Sequence, residues 1–196
     1  MLLALRRARW ALLTVGLTYV LAVIAGMAMV HAGNPFSLRF RDRIVGRAAH
    51  SDTVVALDQG RRTKAALLDF SGNLFLGAVT QTVSGLAILP TYGFAMFRGW
   101  VGGIVSVDGD HRSRLADPHE RTYYLVVLIL QLIPYSLTGG AGVHLGVAWV
   151  REWQRSGWAR QWRFPMPRSA LVDAFWIYVV SVPLFLGASL VEFLAR

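Results

Sequence analysis

The sequence predicts an all-α, polytopic transmembrane bundle of about five helices, and two observations favour this fold class. More than half of the 196 residues are apolar, and only 16% are charged. Four apolar blocks are also long enough to cross a bilayer core of roughly 30 Å, which takes about 20 helical residues. The blocks are residues 11–30, 70–107, 122–150 and 174–191. Because little sequence is left for a soluble core, we expect residues 1–196 to form a single membrane domain.

Four blocks give five helices because the second block contains a turn. Pro90 and Gly93 divide it into two legs. The second leg is short for a full crossing, so it is either a tilted helix or a re-entrant segment. In the next block, Pro134 and the glycines after it predict a kinked or discontinuous (Pro/Gly-broken) fourth helix. The expected helices are residues 10–31, 66–90, 92–107, 122–150 and 170–194.

Arginine placement predicts the orientation of the chain. Arg6, Arg7 and Arg9 precede the first helix, and further arginines fill the loop before the last helix, so both segments are expected to be cytoplasmic. The N-terminus is then inside. The polar segment 32–65 falls on the extracytoplasmic side despite its many basic residues. A partly helical stretch lying along the membrane surface would reduce that conflict.

Composition also excludes several classes of function. The net charge of +9 comes from basic residues that flank apolar runs. Lipid head groups and topology explain such residues, so no nucleic-acid partner is expected. The absence of cysteine excludes disulfides and thiolate chemistry. No nucleotide-binding loop, zinc-binding helix or serine-nucleophile motif is present. We therefore expect a non-enzymatic protein with no cofactor and no metal site.

A polar and small-residue stripe runs along the second predicted helix. Its members recur every four residues, which places them on one side of a helix. They are Asp69, Asn73, Gly77, Gln81 and Gly85. The amides should face protein, because in lipid they would lose their hydrogen bonds, and the glycines permit close approach. The stripe serves either helix packing or a path for a substrate or ion.

Arg98 is the one charged residue deep in the second block, where an unpaired arginine is costly. It needs an acceptor on a neighbouring helix. The candidates are Asp69, Asn73, Gln81, Gln131 and the carbonyls freed at Pro134. Two interpretations remain open: Arg98 is a fixed charge that binds an anionic group or partner, or it snorkels to the interface.

Two G-x-x-x-G spacings indicate further helix contacts, Gly99 with Gly103 and Gly142 with Gly146. His144 lies in the second spacing. A lone membrane histidine more often bridges helices by hydrogen bonds than binds a ligand. The candidate intramembrane site is therefore Asp69, Asn73, Gly77, Gln81, Gly85, Arg98, Gly99, Gln131, Pro134 and His144.

The order of these features over residues 67–150 resembles the stage II sporulation protein M family of integral membrane proteins. The resemblance consists of an Asn-bearing helix ending in Pro and Gly, a Gly-rich leg, and the segment LIPYSLTGGAGVHLG. Its residues are Asn73, Gly77, Gly85, Pro90, Arg98, Gly99, Gly102 and Pro134. The chain has Arg98-Gly99 where the family tends to have Asn-Gly. It has Pro134-Tyr135-Ser136 where the family tends to have Pro-His-Gly followed by a glutamate.

The resemblance implies a non-enzymatic, about five-helix protein of the prokaryotic cytoplasmic membrane. Its sporulation member is similar in kind to a scaffold that recruits cell-wall hydrolases, so the implied function is a structural or assembly subunit of a membrane complex. The expected partners are the lipid bilayer and other membrane proteins, in a homo- or hetero-oligomer. The alternative is a permease-like component that works with a separate ATPase, with Asn73, Gln81 and Arg98 lining a path.

Overall fold

A computed structural model describes residues 1–156 and 166–194, and within these ranges the chain is all-helical. The only β-type pairing there is an isolated bridge between Val107 and Ser113. The helices are α1 (Leu2–His31), α2 (Pro35–Ala48), α3 (Asp52–Asp58), α4 (Arg62–Ser71), a π-helical segment (Gly72–Val79), α5 (Thr80–Gly85), α6 (Leu89–Ile104), α7 (Pro118–Ser156) and α8 (Arg168–Leu194).

Three helices of the described chain are long and apolar enough to cross a membrane. They are Leu2–His31, Pro118–Arg155 and Arg168–Leu194. The all-α prediction is confirmed, and the three helices are compatible with a multi-pass membrane protein. The continuous run from α4 through the π-helical segment to α5 occupies the second predicted helix. α6 has 16 residues and is therefore about 24 Å long.

α1 and α6 lie side by side and run in the same direction. The hydroxyl of Thr14, near the middle of α1, and the hydroxyl of Tyr92, near the start of α6, share a hydrogen bond of 2.8 Å. Further along, a Cβ atom added at Gly103 would lie 2.8 Å from the Met27 amide nitrogen and 2.9 Å from the Gly26 Cα. The two backbones leave no room there for a larger side chain. Such close contacts between small residues allow helices to pack tightly in lipid.

The predicted break in the fourth helix is not present, because α7 is helical throughout. Pro134 lies inside the helix, and its carbonyl accepts a hydrogen bond from the Thr138 hydroxyl at 3.0 Å. The glycines that suggested a break serve packing instead. A Cβ atom at Gly140 would lie 2.7 Å from the Cα of Leu12 on α1. A glycine-rich stretch can therefore mark a close helix contact without interrupting the helix.

The turn between α5 and α6 lies at residues 86–88, before the expected end of the second helix at residue 90. Ile88 has a φ of 63° and a ψ of −69°. The Leu89 amide donates to the Ala87 carbonyl at 2.8 Å, which completes a tight γ-turn. Pro90 then occupies the first turn of α6, where a missing amide hydrogen costs nothing. The proline therefore begins the third helix instead of ending the second.

Segment 32–65 is largely helical and contacts the loop that follows α6. The Phe40 ring of α2 packs on Trp100 of α6, with 4.9 Å between ring centroids. His111 Nε2 lies 2.9 Å from Asp42 Oδ2. A hydrogen bond from the Arg41 guanidinium, with a further contribution from His111, lowers the pKa of Asp42. Segment 32–65 and this loop therefore lie at the same end of the bundle.

Two glycines of α6 provide a matched test of the close contact with α1. We expect Gly103→Ala to destabilise the fold by about 1–3 kcal/mol, because overpacking forces the helices apart. Gly93→Ala places its Cβ in open space. It should be neutral or stabilising by up to about 1 kcal/mol, because alanine favours helix. Unfolding in detergent, followed by circular dichroism, compares the two. Equal effects would contradict the assigned contact.

Candidate functional site

Tyr135 on α7 lies where that helix meets four other helical elements. Its ring stacks on Tyr19 of α1, with 6.2 Å between centroids, and packs edge-on against Phe185 of α8 at 4.8 Å. Its hydroxyl donates to Asn73 Oδ1 of the π-helical segment at 2.6 Å. The Arg98 guanidinium of α6 lies over the ring, with its Cζ 4.3 Å from the centroid. The Tyr135 side chain therefore contacts four helical elements besides its own helix.

Asp69 and Asn73 extend this contact to α8. Asn73 Nδ2 donates to Asp69 Oδ2 at 2.9 Å, and the Ser189 hydroxyl of α8 donates to the same oxygen at 2.7 Å. Through Asn73 the carboxylate is connected to the Tyr135 hydroxyl on α7. These two stripe residues thus bond to each other and to two neighbouring helices, as buried polar groups generally do.

Gly77 provides the space in which Tyr135 and Arg98 meet. A Cβ atom at Gly77 would lie 2.5 Å from the Tyr135 hydroxyl oxygen and 3.0 Å from Arg98 Nη2. Any larger residue would therefore push against the guanidinium, the phenol or both. Two stripe residues thus serve Tyr135: the Asn73 side chain accepts its hydrogen bond, and Gly77 leaves space for its hydroxyl.

Arg98 makes none of the predicted contacts with Asp69, Asn73, Gln81 or Gln131. Within the described ranges, no carboxylate lies at ion-pair distance from its guanidinium. Its partner is the face of the Tyr135 ring, a cation–π contact. The Arg98 guanidinium therefore lies against the Tyr135 side chain, which the sequence does not identify as its partner.

Gln81 is fully buried, at 0% exposure. Its Oε1 accepts a hydrogen bond from the Tyr19 hydroxyl at 3.4 Å, and its side-chain nitrogen lies against Gly139 of α7. Among the described residues, that nitrogen has no acceptor. The Gln81 carbonyl accepts from the Thr91 hydroxyl at 2.9 Å, so this position links α5 to both α1 and α6.

Both predicted G-x-x-x-G spacings lie at helix contacts. A Cβ atom at Gly99 would lie 2.6 Å from the Tyr19 carbonyl oxygen on α1. A Cβ atom at Gly85, the last residue of the stripe, would lie 2.6 Å from the Gly142 Cα on α7. The first spacing therefore packs α6 on α1, and the second packs α7 on α5.

Gln131 lines the same cavity as Arg98 but is bonded elsewhere. Its Nε2 donates to Glu192 Oε2 of α8 at 2.7 Å. The cavity has a volume of about 570 Å³ and lies between α1, α2, α6 and α7. Most of its lining is apolar, and no acidic residue contributes to it. Arg98 is therefore the only charged side chain on the described wall of this cavity.

His144 belongs to a separate cluster, toward the end of the bundle opposite α2. Its Nε2 lies 3.3 Å from Asp173 Oδ2 of α8. Arg7 of α1 reaches the other carboxylate oxygen at 3.5 Å. Asp173 is buried, at 3% exposure, and both neighbours are basic. The predicted helix-bridging role fits this geometry, although Asp173 was not expected as the partner.

Sequence reasoning missed the hydroxyl groups that complete these contacts. Tyr135 follows Pro134 directly, yet only the proline was singled out. Thr82 lies beside Gln81 in sequence; its hydroxyl donates to the Thr138 carbonyl at 2.9 Å and hydrogen-bonds the Tyr178 hydroxyl at 2.7 Å. Tyrosine and threonine are common within apolar blocks, so no spacing distinguishes these residues. Only the packing of separate helices identifies them.

The arrangement as a whole connects helices and contains little that is typical of catalysis. No group of three or more metal-ligating side chains occurs in residues 1–156 or 166–194. The stripe positions contribute hydrogen bonds or close backbone contacts. Arg98 lies outside the stripe and differs from its members, because it is a cation that faces a cavity and has no carboxylate of the described residues at ion-pair distance.

Replacing Tyr135 tests the hydrogen bond at the centre of the core. Tyr135→Phe keeps the ring beneath Arg98 but leaves Asn73 Oδ1 without its shortest donor, so we expect a loss of about 1–3 kcal/mol. The control is Tyr92→Phe, which removes one hydroxyl from the more exposed pair with Thr14 and should cost less. Unfolding in mixed micelles measures both. A larger cost for Tyr92→Phe would contradict the central role of Tyr135.

Comparisons with protein-family models, with curated proteins and with solved structures find no match to this chain. The resemblance to the stage II sporulation protein M family stays a prediction from glycine and proline positions. The contacts of the described residues are therefore the basis for the function of this chain.

Proposed function

We propose that this chain is a non-enzymatic integral membrane protein of the prokaryotic cytoplasmic membrane that acts as an assembly subunit or scaffold of a membrane complex. The observation that supports this most directly is how the polar stripe is used. Asp69, Asn73 and Gln81 each bond to a neighbouring helix. A stripe engaged in this way holds helices together and is unsuited to passing a substrate.

Rigid packing supports the same proposal. Glycines bring α1 against α6 and α5 against α7 at backbone contact. A scaffold benefits from such contacts because it must present a fixed outer surface to its partners. A transporter needs elements that move between two arrangements, and interlocked backbones resist such motion.

The proposed topology has five crossings with the N-terminus in the cytoplasm. α1 and α6 run in one direction, and α7 runs opposite to α1, because Gly16 faces Ser136 while Leu12 faces Gly140. α8 reverses again, since Asp173 contacts His144 and the later Glu192 contacts Gln131. Arg6, Arg7 and Arg9 favour the cytoplasm for the first end.

The permease alternative has one observation in its favour, the cavity beside Arg98. If the chain were a transport component with a separate ATPase, Arg98→Ala and Asn73→Leu should abolish transport while assembly stays intact. Genes beside this one would also discriminate. Wall hydrolases or subunits of a large complex favour the scaffold, and an ATPase subunit favours the permease.

Purification of the tagged chain in mild detergent tests the proposed function. We expect a partner protein to be retained in fixed stoichiometry, measured by native mass spectrometry. The same partner should be retained by Arg98→Ala, because the cavity has no part in assembly. Recovery of the chain without any partner would contradict the scaffold, and retention of an ATPase as the fixed partner would support the permease.

The chain contains no cysteine, so single cysteines can test the topology. We expect Arg39→Cys on α2 and Asp110→Cys in the loop after α6 to react with a membrane-impermeant maleimide on intact cells. Arg155→Cys near the end of α7 should react only after permeabilisation. Labelling of Arg39→Cys and Asp110→Cys from opposite sides would contradict the contact between their segments. If each of the three cysteines reacts from the side opposite to the expected one, the orientation of the chain is the inverse of the proposed one.

A further inference from the structure

Arg98 is a cation in an apolar setting with part of its hydrogen-bonding capacity unused. A guanidinium carries five N–H donors in its plane, and its faces can stack on an aromatic ring. Here the guanidinium lies over the Tyr135 ring and also hydrogen-bonds the Tyr135 hydroxyl, which occupies only part of its donors. No carboxylate in the described ranges lies at ion-pair distance. The donors at the edge of the guanidinium thus remain suited to an oxyanion.

The cavity beside this cation has the size and lining of a binding site. Its volume of about 570 Å³ lies within the range of about 300–1,000 Å³ typical of small-molecule pockets. Val23, Leu128 and Leu132 form an apolar wall. Such a wall suits a hydrocarbon chain, while no acidic residue of the lining would repel an anion.

The cavity also opens toward the outside of the bundle. Phe94 and Phe97 of α6 both line it and are 40% and 52% exposed. α6 is an apolar helix, so this opening faces the region that lipid would occupy in a membrane. An occupant can therefore enter sideways from the bilayer, which favours an amphiphile over a water-soluble ion.

We propose that this cavity binds an amphiphilic oxyanion, with its carboxylate or phosphate group on the Arg98 guanidinium and its apolar chain between the apolar wall and the rings of Phe94 and Phe97. Charge-assisted hydrogen bonds to a guanidinium are strong. Gly77 and the Tyr135 ring hold the cation in place before binding, which lowers the cost of ordering it. The site is independent of the proposed assembly role.

Two classes of membrane molecule combine an oxyanion with an apolar chain: free fatty acids and anionic phospholipids. The test uses the purified full chain in neutral detergent and measures binding of decanoate and of lysophosphatidylglycerol by calorimetry. Decanol is the control, because it has the same chain length as decanoate but no charge. We expect saturable binding of at least one anionic probe. Decanol should bind at least about tenfold more weakly than decanoate if the source is a fatty acid.

Variants assign the binding to this cavity. Arg98→Gln should weaken the binding of the anionic probe by at least about tenfold. Arg39→Gln, which removes an exposed arginine from α2, should leave it unchanged. Leu128→Trp keeps the charge but fills the apolar wall, so it should also weaken binding. This second variant keeps the proposal testable if Arg98→Gln fails to fold.

Each result has a defined meaning. Decanoate binding alone indicates a fatty acid, and binding of lysophosphatidylglycerol indicates a phospholipid; either result supports the site. Failure of both anionic probes to bind would overturn it, as would equal binding of decanoate and decanol when lysophosphatidylglycerol does not bind. An equal loss in Arg39→Gln and Arg98→Gln would also overturn it, because general surface charge would then explain the binding. None of these outcomes depends on whether a partner protein co-purifies.

Discussion

The Tyr135 side chain provides the contact on which the arrangement of the core depends. Helices in lipid gain little from hydrophobic burial, so association relies on close packing and on hydrogen bonds between helices. Tyr135 supplies both, because its ring packs between Tyr19 and Phe185 while its hydroxyl donates to Asn73. The same ring compensates the Arg98 charge. A cation that would otherwise be costly in an apolar bundle is therefore tolerated by a residue that the packing already needs.

The π-helical segment explains how Asn73 and Gly77 serve the same neighbour. Residues spaced four apart drift around an α-helix, which has 3.6 residues per turn. A π-helix, with its i→i+5 hydrogen bonds, has a wider turn, so residues four apart fall short of a full turn where an α-helix would pass it. Residues 72–79 are π-helical, so the amide of Asn73 and the gap at Gly77 both face Tyr135. The four-residue spacing in the sequence thus corresponds to a local change of helix type, which no propensity indicates.

The sequence predicted helix type and approximate position well, because long apolar runs leave few alternatives. It failed at Pro134 and Pro90 for one reason: a proline marks a helix end only when the surrounding contacts permit one. In α7 the helix continues, held by packing of Gly140 against Leu12. At Pro90 the γ-turn at Ile88 had already reversed the chain. Sequence spacing does not reveal the contact between Arg98 and the Tyr135 side chain, because the two residues lie on separate helices and neither position belongs to a repeat that includes the other.

In the proposed topology the arginines of segment 32–65 would conflict with the positive-inside tendency, and local pairing reduces that conflict at one of them and in the adjoining loop. Arg41 is bonded to Asp42 at 3.0 Å. In the adjoining loop, Arg112 contacts both Asp108 at 3.2 Å and Asp110 at 2.6 Å. A backbone hydrogen bond from Arg112 contributes most to lowering the pKa of Asp108, and a hydrogen bond from Arg41 does the same for Asp42. Both carboxylates therefore stay ionised at neutral pH and offset neighbouring arginines. At the opposite end, Arg6 and Arg9 form no such pairs with the described residues, so their charges remain uncompensated. Arg39, Arg43 and Arg47 of α2 likewise form no ion pair with the described residues, so local pairing offsets charge at Arg41 and in the adjoining loop and leaves the rest of α2 basic.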